Sequence, residues 1–210
     1  MRLLFRHSTN HRVVAVRAEL LAALLAVFSV ISVCAQDQPL GHLVVKHVTL
    51  VVVDLPTPAC AVLWPVLRPE LEQSETSKLL GGSVVWMTRA EFHEGMEFTL
   101  IYQIKLVGHC EIDATSNEQD APGAPLGWVL MVNEEIQPFV YVDCDRLVQM
   151  LHRELRNKPT AERKRILSRA ISRIVIHEMT HILTQSPFHA RVGLQKAHVT
   201  PYDLLAYHTE

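Results

Sequence analysis

The chain has 210 residues, 49% of them hydrophobic and 20% charged, with a formal net charge of −2 at pH 7. That length suffices for one domain with a real core. The charge balance argues against a nucleic-acid partner, and no internal repeat or low-complexity segment is present.

Residues 1–35 read as a secretory signal. Arg2, Arg6, Arg12 and Arg17 form a positive leading region, an apolar run follows over 20–33, and Val33-Cys34-Ala35 is a small-residue cleavage site. A membrane span needs about 20 apolar residues, so this run predicts a cleaved leader rather than a permanent anchor. Acylation at Cys34 is the alternative, and the membrane is otherwise not an expected partner. The expected product is an exported domain over 36–210, periplasmic or secreted, and more acidic than the whole chain because four arginines leave with the leader. Export permits a disulfide among Cys60, Cys110 and Cys144. Cys110 and Cys144, each at the end of a predicted strand, are the preferred pair.

Residues 42–54 are dense in valine and predict a strand buried on both faces over 50–53. Pro56 and Pro58 end it. A helix is expected over 61–73, interrupted by Pro65 and Pro69. Gly81-Gly82 marks a turn, and strands follow over 83–87 and 97–107. The polar, acidic stretch 113–125 predicts a surface loop. Strands over 126–132 and 138–142, joined through Asn133-Glu134-Glu135, predict an antiparallel hairpin. Asp143 or Asp145 caps a helix running to about residue 155.

Residues 160–184 predict one long helix, preceded by Pro159, capped by Thr160 and stopped by Pro187. Its basic residues, Arg163-Lys164-Arg165 with Arg169 and Arg173, predict a solvated face. Ile166, Ala170, Ile174, His177 and His181 continue one core-facing stripe. Strands first and helices later predict an α+β domain, a twisted mixed sheet packed on this helix. One edge of such a sheet can lie beside the helix and take up an extended peptide by strand addition.

The helix carries His177-Glu178-Met179-Thr180-His181, an H-E-x-x-H pattern. Positions i and i+4 share a helix face, so both imidazoles reach one metal ion, while Glu178 reaches a water on that metal as general base. This is the chemistry of a zinc hydrolase. A catalytic zinc takes three protein ligands, and His189, Asp203, His198 and His208 follow the pair. His189 ranks first, because Pro187 forces the chain off the helix and back. Asp203 ranks second, and His198 and His208 are expected at the surface. Tyr202 and Tyr207 are candidate donors to an oxyanion. The competing readings are a non-catalytic exported zinc-binding or structural module, and a metal-free packing helix.

These motifs, with Gly193-Leu194-Gln195-Lys196, residues 200–205, Arg169-Ala170-Ile171-Ser172-Arg173, Leu126-Gly127-Trp128-Val129 and residues 138–144, resemble a group of small secreted bacterial zincin-like metallopeptidases. The resemblance implies a zincin-like fold, a Zn2+ cofactor with His189 as third ligand, and a peptide or protein substrate of unspecified sequence. It leaves the oligomeric state open. The spacing departs from that of metzincins. Thr184 and Pro187 stand where those have glycine and histidine, and Gln195 stands where a methionine often follows.

Overall fold

The computed structural model describes residues 48–81, 83–93, 95–112 and 124–206. The expected leader with Cys34, the start of the first predicted strand, most of the acidic loop, Tyr207 and His208 lie outside the described residues. The valine-dense stretch forms β1, Val48–Asp54, whose five central residues are all buried. It has parallel partners on both sides, which is why both of its faces are apolar.

The prolines after β1 split the expected helix in two. α1, Pro58–Ala61, is capped by Thr57, whose hydroxyl accepts from the Cys60 amide at 3.1 Å. α2, Trp64–Glu72, places Pro65 in its first turn, where a missing N–H costs nothing, and carries Pro69 within it. A third short helix, α3, Glu75–Leu79, was not expected. It follows Ser74, whose hydroxyl donates to the Leu71 carbonyl at 2.6 Å, and Trp86 Nε1 donates to Ser77 Oγ within it at 3.1 Å. These side-chain bonds replace an apolar periodicity the segment lacks.

β2, Ser83–Thr88, and β3, Leu100–Val107, flank β1 in parallel. Three helices therefore cross from β1 to β2, so strands and helices interleave in this half instead of separating as expected. β4, Gly127–Val132, and β5, Glu135–Asp143, form the expected antiparallel hairpin. Its turn residues Asn133 and Glu134 have φ of 51° and 67°, the twist that a tight two-residue hairpin demands. β5 joins β3 in parallel, giving a five-stranded mixed sheet of order β2-β1-β3-β5-β4. β4 is an edge.

The Asp143 carboxylate accepts from the Arg146 amide at 3.0 Å and caps α4, Cys144–Met150. The chain breaks at Leu151 before α5, His152–Leu155, where one continuous helix was expected. The long helix α6 has the expected bounds, Thr160–Thr184, but Thr160 is its first helical residue and no side chain caps it. α7, Pro201–Leu205, closes the described chain.

α6 packs on β4 and β5 and against α2, α4 and α7. It buries Leu167, Ala170, Ile171, Ile174, Val175, Met179 and Ile182. A fully buried leucine or isoleucine contributes about 1.5–3 kcal/mol, so this face outweighs the helix's own marginal propensity. On the opposite side of the sheet Leu50, Val52 and Met87 are covered by Met96 and Phe98. The basic run is only partly a solvated face. Arg169 reaches the Glu70 carboxylate at 3.5 Å, and Arg173 donates to the Ala206 carbonyl at 2.7 Å. Both fix α6 to its neighbours.

The expected Cys110–Cys144 pair is not formed. Cys110 bonds Cys60, with Cα atoms 5.2 Å apart, and Cys144 is a buried free thiol. The cause is the turn after β3. Gly108 (φ 89°) and Cys110 (φ 55°) reverse the chain, and the Asp145 carboxylate accepts from the His109 and Cys110 amides at 2.8 and 3.1 Å. A Cβ on Gly108 would lie 2.6 Å from that carboxylate, so only glycine allows the clamp. The turn aims Cys110 at α1.

Candidate metal centre

Two turns of α6 and the loop that follows it build the centre. His177 and His181 are 6% and 5% exposed, on the same stripe as buried Ala170 and Ile174. The helix ends at Thr184 because Gln185 turns left-handed (φ 50°), two residues before the proline expected to stop it. The Gln185 side-chain amide then pairs with the Ile136 backbone, accepting from its N–H at 3.3 Å and donating to its carbonyl at 3.1 Å. That tie fixes the helix end to the turn end of the hairpin. It also starts the loop on a path back over the helix, as expected for His189.

The loop supplies more than His189. The Ser186 carbonyl lies 2.6 Å from His181 Nδ1 and the Leu194 carbonyl 2.8 Å from His177 Nδ1. A carbonyl only accepts, so both Nδ1 atoms carry the proton and both Nε2 atoms present lone pairs. Those Nε2 atoms face each other at 3.2 Å. Two lone pairs at that distance repel unless a cation lies between them. Two nitrogens on one tetrahedral ion at about 2.0–2.1 Å would be roughly 3.3 Å apart. The His189 ring closes the group, with centroids 5.1 Å from His177 and 4.8 Å from His181. One ligand atom from each of the three lies within 4.8 Å of the others, so the group could hold a metal ion.

Asp203 is not part of it. Its carboxylate accepts from the Thr200 amide at 2.7 Å, as the N3 half of a capping box in which Thr200 is the N-cap of α7, and pairs with Lys196 Nζ at 2.7 Å. Lys196 and Thr200 hold its carboxyl down to about 2. His198 is exposed, as expected, and lines the cavity beside the histidines. Tyr202 is 81% exposed and does not line it.

Glu178 is 6% exposed, and burial pushes its carboxyl up to about 7. His177 is held below its ordinary value, chiefly by burial, with His181 and His189 adding to the effect and the bond to Leu194 opposing it. Burial and then His181 and His198 lower His189 in the same direction. His177 and His189 are thus both shifted toward the neutral form, the state in which imidazole binds metal.

The cavity over this group measures about 750 Å³ and runs between the β4 edge, α4 and the returning loop. Leu126, Val129, Met150, Ile174 and Val199 give it apolar walls, and Glu178 is the sole carboxylate among its lining residues. Gly127 brings the edge strand to the helix. A Cβ there would sit 2.4 Å from Ile174 Cγ2 and 3.1 Å from Glu178 Oε1. Sequence reasoning did not single out this glycine, although a glycine inside a strand signals close approach of another element. It missed the two carbonyls altogether, since backbone acceptors leave no mark in a sequence.

Comparison with protein-family models, with curated proteins and with solved structures gives no match, so the functional reading rests on the residues themselves.

Proposed function

We propose that the protein is an exported zinc-dependent metallopeptidase of the zincin-like kind. The observation that carries this reading is the facing pair of unprotonated Nε2 atoms on His177 and His181, completed by His189 and flanked by the buried Glu178. Three neutral imidazoles suit zinc, and the set leaves a fourth position open. When bound, zinc would polarise a substrate carbonyl and supply a water with a pKa near about 7.

The chain's own residues do the rest. Glu178, with its carboxyl raised by burial, accepts the proton of the attacking water and passes it to the leaving amine. The Ser186 and Leu194 carbonyls hold the imidazoles in one tautomer throughout. The edge of β4 that has no partner strand among the described residues takes an extended peptide as an added strand and lays its amide along the cavity. The apolar walls exclude water from the reacting amide.

The test is zinc content and peptide cleavage measured together. Residues 36–210 should bind one zinc, lose it on His177→Ala or His181→Ala, and cleave an extended-peptide library. Glu178→Gln should keep the zinc and lose cleavage by at least about a thousandfold, the upper part of the range for a general base combined with substrate positioning. Full zinc loading without cleavage would leave a non-catalytic zinc module. Absence of zinc after reconstitution would remove the metal reading.

A further inference from the structure

We propose that Gln195 and Thr180 form a polar latch that positions the ligand-bearing loop on the metal helix, making Gln195 a positioning residue for the centre. This inference rests on the metal reading above and concerns how the three-histidine set is assembled. His177 and His181 share one rigid helix and need no further alignment to each other. His189 lies outside the helix, on a loop that must dock to bring it within reach.

Beyond Gln185, three side-chain bonds join that loop to α6 among the described residues, and two of them end on ligands, at Ser186 with His181 and Leu194 with His177. The third does not involve a ligand. Gln195 Nε2 donates to Thr180 Oγ1 at 2.9 Å. The Thr180 hydroxyl spends its proton on the Ile176 carbonyl one turn back, at 2.8 Å, so toward Gln195 it only accepts. The orientation of the Gln195 amide is thereby fixed, with its NH2 toward the helix.

The same residue also closes the loop on itself. The Gln195 carbonyl accepts from the Ala190 amide at 2.8 Å, beside a bridge between Ala190 and Lys196. Ala190 follows His189 directly and Leu194 precedes Gln195. One residue thus sets the third ligand on one side and the carbonyl that orients His177 on the other. Thr180 is half-buried and lies inside the H-E-x-x-H pattern, at a position the metal chemistry leaves free.

The experiment is a double-mutant cycle on metal affinity, with zinc competed against a chelator. Groups that orient metal ligands typically contribute about 10–100-fold to affinity. Gln195→Ala and Thr180→Val should each weaken zinc binding by about that factor. The double variant should be no weaker than the worse single, and Thr180→Ser, which keeps the hydroxyl, should restore wild-type affinity. Substituted cobalt(II) gives a second readout, because release of His189 alters the ligand-field spectrum whatever happens to stability. Additive effects of the two substitutions, or wild-type affinity and spectrum in Gln195→Ala, would overturn the latch. Failure of the wild-type chain to bind zinc would instead count against the metal reading, so the two failures are distinct.

Discussion

Gly127 of the edge strand and Ile174 of the metal helix approach so closely that a single added Cβ on Gly127 would stand 2.4 Å from Ile174 Cγ2. Neither partner can yield easily, since Ile174 is 3% exposed and the neighbouring Val129 is paired with Val140 in the hairpin. Gly127→Ala should therefore cost about 1–3 kcal/mol through overpacking. It should also displace β4 from Glu178 and lower activity more than zinc affinity. Denaturant melts and a zinc titration on the same variant check this. An unchanged melt would mean that the strand can shift without penalty.

Glu178 makes stability depend on pH when no metal is bound. Its carboxyl titrates at about 7 in the folded chain and near 4.5 when unfolded. A raised folded value stabilises the protein fully below the unfolded value, and that contribution is lost as pH rises through the folded one. Across pH 4.5 to 7 the loss is of the order of 3 kcal/mol. The depressed His177 acts with opposite sign, stabilising above its unfolded value. The clean observable is thus the difference between wild type and Glu178→Gln after chelation. Stability of wild type relative to the variant should fall from pH 5 to pH 8. A flat difference would mean that water already reaches the carboxyl.

Asp203 gives the reverse dependence. Its folded value, about 2, lies below its unfolded 3.8, so its contribution is present above the unfolded value and lost as pH falls through the folded one. It belongs to the capping box of α7, and it and Lys196 are only partly buried, so solvent still screens their pairing in part. Asp203→Asn should cost about 1 kcal/mol at pH 7, clearly less at pH 2, and leave zinc content unchanged. Loss of zinc in this variant would return Asp203 to the ligand set.

The cysteines should respond unequally to alkylation. Burial pushes the Cys144 thiol well above its ordinary value, with Asp145 and Asp143 adding to the effect. In the native protein at pH 8 it should resist iodoacetamide, and one equivalent should react only after unfolding. Peptide mapping should recover Cys60 joined to Cys110. The disulfide closes a loop of sequence separation 50, so its removal should lower stability by about 4 kcal/mol in the chain-entropy account. A recovered Cys110–Cys144 peptide would contradict the arrangement of the turn.

Much of the architecture was legible where one physical signal dominated. β1 announced itself by unbroken valine, the hairpin by alternating strands around a short polar turn, and α6 by a stripe running into its two histidines. His189 was singled out because Pro187 marked the end of the helix, although the chain in fact turns two residues earlier, at Gln185. The failures share a cause, which is dependence on particular side-chain bonds and strand pairings that no periodicity records. The disulfide turned on Asp145 holding a turn that follows β3. α3 turned on hydroxyl bonds at Ser74 and Ser77. Asp203 had the right chemistry for a ligand, and only the fold showed its carboxylate already committed to Thr200 and Lys196. Interleaving of the first helices with the strands depended on β2 pairing back onto β1, which no local pattern encodes.

The covalent ring between Cys60 and Cys110 encloses α2, α3, β2 and β3 and ends before any residue that lines the candidate site. As the chain emerges from its N-terminal end, both partners are available while Cys144 and the whole of α6 are still unmade. Vectorial synthesis therefore lets Cys60 and Cys110 meet before Cys144 can compete, while the Asp145 clamp on the turn arrives only with Cys144. It also sets an order of maturation. The first three strands can be linked before the metal helix arrives, whereas β4 and β5, on which that helix packs, stand outside the ring and are joined to it only by pairing.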